Sequence, residues 1–185
     1  MNPKTVLIHR RFEYDDTVIS DGHFVPTNFE VLKLFLKRRW SHVFHKIVNK
    51  DGFEIKGLQQ WLDGKEAAGG IQTEVKYNNS KWEPQFVALN AESTPFHDET
   101  FLYRSRSNVQ WVHELCRANF TFKVLNRVFT VHSGIKRAEK QEFRELIDKA
   151  VQSGLQKQIL TNFKNRLDQM YPYTEKFCPF FDYPK

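Results

Sequence analysis

The sequence has little cysteine and lacks any long apolar run. Its two cysteines, Cys116 and Cys178, are too few to define a disulfide framework or a cysteine-based zinc site, so they leave the redox compartment open. No apolar run approaches the ~18–20 residues that cross a bilayer, and no signal-type apolar block opens the sequence. We therefore expect no transmembrane segment and no targeting segment in this chain.

Several motifs that define an active site on their own are also missing. The sequence contains no Gly-rich phosphate loop, no paired-histidine metal motif and no Ser-His-Asp arrangement among its seven histidines. It contains no Asp-x-Asp triplet either, and Asp15 and Asp16 are adjacent rather than spaced. Function therefore has to be argued from patterns that are individually weak.

Positive charge and aromatic rings are abundant. The net charge of +6 favours anionic partners such as phosphates, nucleotide sugars, nucleic acid or acidic lipid headgroups. The 17 Phe residues can fill a core or present platforms for sugar rings and bases. The basic residues 37–39 suit the negative end of a helix dipole. No nucleic-acid motif accompanies them or the basic pair Arg10 and Arg11. We expect no nucleic-acid partner.

Two triplets match the acceptor pattern for N-linked glycosylation. They are Asn78-Asn79-Ser80 and Asn119-Phe120-Thr121. Such triplets are common by chance, and they are modified only in a chain that enters the secretory pathway.

Apolar periodicity predicts a mixture of strands and helices in one domain. The spacing of Thr27 and Glu30 predicts a capping box at the start of a helix, and Ser107 with Gln110 predicts a second cap. The other expected elements are strands over 5–9 and 86–89, short helices and loops over 49–70, two strands or one broken strand over 120–132, and two amphipathic helices within about 138–170 that break at 153–154. We expect the domain to cover 1–178, with a tail over 179–185.

Three groups of residues are candidates for chemistry. His132, Gly134 and Lys136 follow an apolar strand, where α/β proteins place ligands. A neutral imidazole there can bind a divalent metal, a glycine allows close approach and an ammonium can meet a diphosphate. A hydrogen-bonded polar strand end is the plainer interpretation.

The other two groups precede this strand in the sequence. Asp98 and Glu99 lie between aromatic residues, where burial could raise one carboxyl pKa towards that of a general base, although a solvated acidic pair is equally ordinary. Trp82 could stack on a sugar and Glu83 could accept from hydroxyl groups, or the segment could be a turn with a packed ring.

The segments "WEP", "FHDETF", "NVQWVHEL", "FTFKVLNRVFTVH" and "HSGIK", in this order, resemble the C-terminal half of the domain found in glycosyltransferase family 49, the beta-1,4-glucuronyltransferase and LARGE-type group. The resemblance runs from about Val6 to Cys178 and is densest from Trp82 to Lys136. It implies an α/β, GT-A-like fold with a mixed, mostly parallel sheet flanked by helices, without the N-terminal nucleotide-binding half. It also implies a UDP-sugar and Mn²⁺ at the strand ends.

The resemblance assigns roles to individual residues. His132 matches the family's late metal-binding histidine, Gly134 makes room for the diphosphate and Lys136 neutralises its charge. Asp98 or Glu99 would deprotonate the acceptor, and Asn108 matches a substrate-binding position. The sequence departs from the family pattern at His97 and Thr100, in the loop containing Ser105 and Ser107, and in its lack of an Asp-x-Asp motif.

The resemblance implies transfer of glucuronic acid or N-acetylglucosamine from a UDP-sugar to a glycan, in the Golgi lumen, with any membrane anchor outside this chain. Two alternatives stay open at this point. The domain could be catalytic, or it could be a non-catalytic remnant that binds a glycan or a partner.

Overall fold

A five-stranded mixed sheet with helices packed against it forms the computed structural model, which describes residues 2–18, 25–65, 67–103 and 105–181. The strands are β1 (Thr5–Tyr14), β2 (Ser41–Val43), β3 (Ile71–Val75), β4 (Gln85–Ala88) and β5 (Thr121–Ser133). The helices are α1 (Phe29–Lys37), α2 (Lys50–Phe53), α3 (Leu58–Asp63), α4 (Ser107–Arg117), α5 (Gln141–Gln152) and α6 (Leu155–Met170), followed by a 3-10 turn over Glu175–Phe177. The expected α/β class is confirmed.

Strand β1 lies at the centre of the sheet. One of its edges pairs with β5 in parallel, and its other edge pairs antiparallel with β4 over Val6–His9 and with β2 over Phe12–Tyr14. Strand β3 adds to the far edge of β5, also antiparallel. The expected mixed sheet is confirmed, although it is less parallel than the resemblance implied, because β1–β5 is the one parallel pair among the described strands.

Strand β5 is one strand broken by a bulge, which was one of the two sequence alternatives. Its register against β1 shifts between Val124, which pairs with Ile8, and Phe129, which pairs with Arg10. Arg127 has a positive φ of 52° in the inserted stretch. The Trp61 indole donates to the Leu125 carbonyl at 3.0 Å, so α3 supports the bulge.

The helix starts differ from the predicted capping boxes by one residue. Asn28, and not Thr27, caps α1, because its side-chain oxygen accepts from the Val31 N–H at 3.0 Å. Ser107 is the first residue of α4, and its predecessor Arg106 has a left-handed φ of 63°. Strands β2 and β3 were not predicted, and for β3 the glycine-rich surroundings suggested loops.

Three apolar clusters hold the elements together. The largest packs α4 against the sheet and includes Val6, Ile8, Leu115, Phe122 and Val124. A second joins α4, α6 and the C-terminal segment, and a third joins α1 and α3 to the far end of β1. No helix in the described ranges is long and apolar enough to span a membrane.

A disulfide and a buried guanidinium help to fasten α4 to α6 and to the segment after it. A disulfide joins Cys116 to Cys178 across a sequence separation of 62, a pairing that the sequence left open. The buried Arg117 guanidinium donates to the carbonyls of Leu167 and Tyr171 at 3.1 and 3.0 Å and to the Asp168 carboxylate at 2.9 Å. The last turn of α6 is therefore satisfied by a cation from α4.

Removing the disulfide should lower stability substantially. Loop-closure entropy for this separation corresponds to about 4 kcal/mol. We expect the double variant Cys116→Ala, Cys178→Ala to lose between about 2 and 4 kcal/mol of unfolding free energy in urea titrations. Reductant should destabilise the native protein and leave the variant unchanged, and equal sensitivity of the two would contradict the assignment.

A buried histidine should make stability depend on pH. Burial lowers the pKa of His113 to about 3, aided by the nearby charge of Arg117, whereas an unfolded histidine titrates near ~6.5. Below pH 6.5 His113 binds a proton in the unfolded chain but stays neutral in the folded chain. The free energy of unfolding therefore falls as pH drops from 6.5 towards 3.

At pH 5 the expected loss relative to pH 7 is on the order of 2 kcal/mol. Urea unfolding of the native protein and of His113→Leu at both pH values measures it. The variant should lose most of this pH dependence, with His97→Leu as the exposed-histidine control. An unchanged dependence in His113→Leu would exclude the explanation.

Candidate functional site

A cleft of about 720 Å³ opens beside the carboxyl ends of β1 and β5. Its walls come from the second half of β1, the segment after β2, the loops on either side of β4, the start of α4 and the segment after β5. Among the described residues, three cations and three carboxylates line it, namely Arg11, Arg106, Lys136, Glu83, Glu99 and Glu139. A site at strand ends is what the parallel β1–β5 pair favours.

Four of the predicted site residues meet in this cleft: Glu83, Glu99, Asn108 and Lys136. The amides of Asn49 and Asn108 each donate to one oxygen of the Glu83 carboxylate at 3.3 Å. Lys136 pairs with Glu139. The cleft therefore holds one carboxylate fixed by two amides, while the Glu99 side chain is exposed to solvent.

The two adjacent carboxylates are separated by the fold. Asp98 points to Arg166 of α6 at 3.1 Å, and the same guanidinium makes two bonds of 2.7 Å to the buried Glu114. The Thr100 N–H and hydroxyl also donate to Asp98, at 3.0 and 2.6 Å.

These contacts decide the protonation state of Asp98. Burial acts to raise its pKa, but the hydrogen bonds from Thr100 and the Arg166 charge outweigh burial and hold the pKa below its usual value. Asp98 is therefore a loop anchor and a poor proton acceptor, and Glu99 is the member of the pair that faces the cleft.

The expectation that Trp82 stacks on a sugar is corrected by its burial. Its side chain is only 5% exposed, and its ring lies 5.7 Å from that of Phe122 in the main core. The segment is thus the turn with a packed ring, and Glu83 alone reaches the cleft.

His132 and Gly134 lie at the rim rather than in the cleft. The exposed His132 ring is 5.5 Å from the ring of Phe44, which lines the cleft. Gly134 has a left-handed φ of 83°, and its N–H donates to the Tyr14 carbonyl at 3.0 Å. A Cβ at Gly134 would lie 3.3 Å from the Asp16 carboxylate. In this structure the glycine therefore allows the Asp16 side chain to approach the backbone closely.

The described residues do not form a site that fits Mn²⁺. No group of three His, Cys, Asp or Glu side chains converges among them, whereas hard divalent cations need several oxygen ligands. Glu13 pairs in register with His42 and His132, but it is fully buried. Burial raises the pKa of Glu13, and backbone hydrogen bonds from His45 and Lys136 only partly offset that effect.

The structure adds cleft residues that the sequence analysis missed. The Arg11 guanidinium lies 3.9 Å from the centroid of the Phe44 ring. Tyr103 is 68% exposed and packs edge-on against Phe143. The signal for Arg11 was available in the alternation of "RRFEY", which extends β1 beyond its apolar start. Tyr103 gave no such signal, since it follows an irregular loop.

The mixed sheet, its flanking helices and a polar cleft at the ends of parallel strands are consistent with a GT-A-like glycosyltransferase. The model of the family described as "Glycosyl-transferase for dystroglycan" matches residues 1–172. The chain belongs to this family, glycosyltransferase family 49, as its resemblance predicted. A search of curated proteins found no match.

Arg166 should be needed to hold the Asp98 loop. Replacing it by glutamine leaves the Glu114 carboxylate, which is 2% exposed, without its cation. Because Arg166 is itself partly exposed, we expect Arg166→Gln to lose about 1–3 kcal/mol of unfolding free energy. Arg137→Gln, which breaks an exposed ion pair with Asp15, is the control and should lose less than ~1 kcal/mol. Equal losses in chemical denaturation would contradict the network.

Proposed function

We propose that this chain binds the glycan acceptor of a family-49 transfer reaction, in which glucuronic acid or N-acetylglucosamine passes from a UDP-sugar to a glycan hydroxyl. The observation that carries the proposal is the cleft, which gathers Glu83, Glu99, Asn108 and Lys136 from separate segments. The family description points to a glycoprotein acceptor of the dystroglycan kind. The Golgi lumen is the compartment in which we place the reaction.

Glu99 is the proposed general base. A base must reach the acceptor hydroxyl and accept its proton, which requires a carboxylate in the cleft without strong hydrogen-bond donors. Asp98 is occupied by Arg166 and Thr100, and Glu83 is held by two amides. Glu139, the third carboxylate in the cleft, pairs with Lys136. Glu99 is the cleft carboxylate that these contacts leave for the acceptor.

The neighbouring groups suit a sugar and an anionic donor. Asn108 can share its amide between Glu83 and a sugar hydroxyl, and the exposed Tyr103 ring can stack on a sugar face. Arg11, Arg106 and Lys136 place positive charge where a diphosphate would enter. A divalent ion would neutralise that diphosphate, and His132 is the ligand that the family resemblance suggests. The remaining ligands of such an ion are not among the described residues.

A second candidate function is glycan binding without catalysis. It is favoured by the lack of an Asp-x-Asp triplet in the sequence and of a converging ligand group in the described residues. Both functions use the same acceptor cleft, so they differ in turnover and not in glycan recognition.

Glycan binding tests the cleft directly. We expect the purified chain to bind immobilised glycoprotein glycans in EDTA as well as in Mn²⁺. Tyr103→Ala should weaken binding by roughly tenfold, since a stacked ring contributes on the order of 1–2 kcal/mol. Phe96→Ala is the matched control, because this ring is 82% exposed and does not line the cleft. Equal effects of the two variants, or no binding by the native chain, would contradict the proposal.

Turnover separates the two functions. With UDP-glucuronic acid, UDP-N-acetylglucosamine and Mn²⁺, we expect the chain alone to give neither hydrolysis nor transfer. If turnover occurs, Glu99→Gln should reduce it by about 10²–10⁴-fold and Asp98→Asn by far less. Turnover that survives Glu99→Gln would remove Glu99 from the mechanism.

A further inference from the structure

Asn119 occupies the left-handed position that ends α4. Its φ is 64°, its N–H donates to the Cys116 carbonyl, and the following Phe120 N–H donates to the Leu115 carbonyl. These two bonds form a Schellman motif, in which asparagine is accepted after glycine. The capping hydrogen bonds of the helix end fix the Asn119 backbone and do not involve its side chain.

The Asn119 side chain is exposed, and within the described part of the chain it makes no hydrogen bond. Phe120 is buried, and the Thr121 hydroxyl lies 3.0 Å from the Thr5 hydroxyl at the start of β5. The triplet therefore presents its amide to solvent while its other two residues belong to the fold.

Asn78 is arranged in a similar way. Its side chain is exposed, whereas the neighbouring Asn79 side chain forms the turn by bonding to the Asp51 carbonyl and the Lys81 N–H. The hydrogen bonds that hold this turn are therefore made by the side chain of Asn79. Asn78 is thus a second acceptor-type amide that the fold does not use.

The disulfide supplies the independent argument about compartment. Disulfides persist in secretory and extracellular environments, where N-linked glycosylation also occurs. Cys178 follows Cys116 by 62 residues, which take several seconds to synthesise at ~5–20 residues per second. During that interval the disulfide has not yet formed, so it does not constrain the chain around Asn119.

We propose that Asn119 and Asn78 are N-glycosylation sites. The co-reactant is a lipid-linked oligosaccharide diphosphate of the secretory pathway. The Asn amide nitrogen forms a bond to the anomeric carbon of the first sugar and releases one proton to solvent. The bond from that carbon to the diphosphate oxygen breaks, the lipid diphosphate leaves with the electron pair, and nothing is oxidised or reduced.

Asn119 lies at the opposite end of α4 from the cleft. Ser107 and Asn108 in the first turn of α4 line the cleft, and Asn119 lies just past the last residue of the helix, roughly 16 Å from Asn108 at ~1.5 Å per residue. The proposal rests on exposure and on the disulfide, and it holds whether or not the cleft supports transfer.

The test uses the full chain behind a cleavable secretory signal peptide in cultured animal cells. Secreted and cell-associated protein are both treated with peptide N-glycosidase in ¹⁸O-water and mapped by mass spectrometry. We expect a gain in electrophoretic mobility and ¹⁸O-labelled aspartate at positions 78 and 119. Asn119→Asp and Asn78→Asp should each remove one mobility step, and the double variant should remove both.

Two controls keep the result interpretable. Thr121→Ser preserves the triplet and its hydroxyl, so it should keep the glycan on Asn119. The same chain produced in the cytosol should show no shift. Unmodified asparagine at position 119 or 78, in secretory-pathway protein that contains the Cys116–Cys178 disulfide, would overturn the proposal for that residue.

Discussion

The parallel pairing of β1 with β5 is the constraint on which the rest of the structure depends. It joins residues that are more than a hundred positions apart, and it carries β2 and β4 on one side and β3 on the other. Both strands end at the same edge, where Arg11 of β1, the segment after β5 and the first turn of α4 contribute to one cleft. The bulge in β5, supported by Trp61, keeps the two long strands in register beyond their midpoints.

A second constraint comes from α6, which lies outside the cleft but decides what faces it. The Arg166 guanidinium donates to the carboxylates of both Asp98 and Glu114, and Arg117 of α4 bonds to the end of α6. Because Asp98 is drawn to this network, its neighbour Glu99 is left at the cleft. Two adjacent carboxylates of the same chemical type thereby acquire different surroundings, as in many sites where one acid is structural and the other reactive.

Much of the fold could be predicted from the sequence, and less of the site. Apolar periodicity identified β1, α4 and the two C-terminal helices, and β1, α4 and α6 each bury an apolar face. Sequence patterns did not predict the caps at Asn28 and Arg106 or the strand β3, because turn geometry and edge pairing depend on tertiary contacts. The burial of Trp82 and the pairing of Asp98 likewise required α4 and α6 to be in place. The disulfide needed coordinates, since spacing alone does not pair two cysteines.

We infer that the cleft at the carboxyl ends of β1 and β5 is the glycan-binding surface. Hydrogen exchange with and without a bound glycoprotein glycan tests it most directly, since it reports backbone protection segment by segment. We expect protection over residues 97–103, 105–108 and 134–139, with no change over 174–181, beyond α6. Protection confined to 174–181, or spread evenly over the chain, would contradict it.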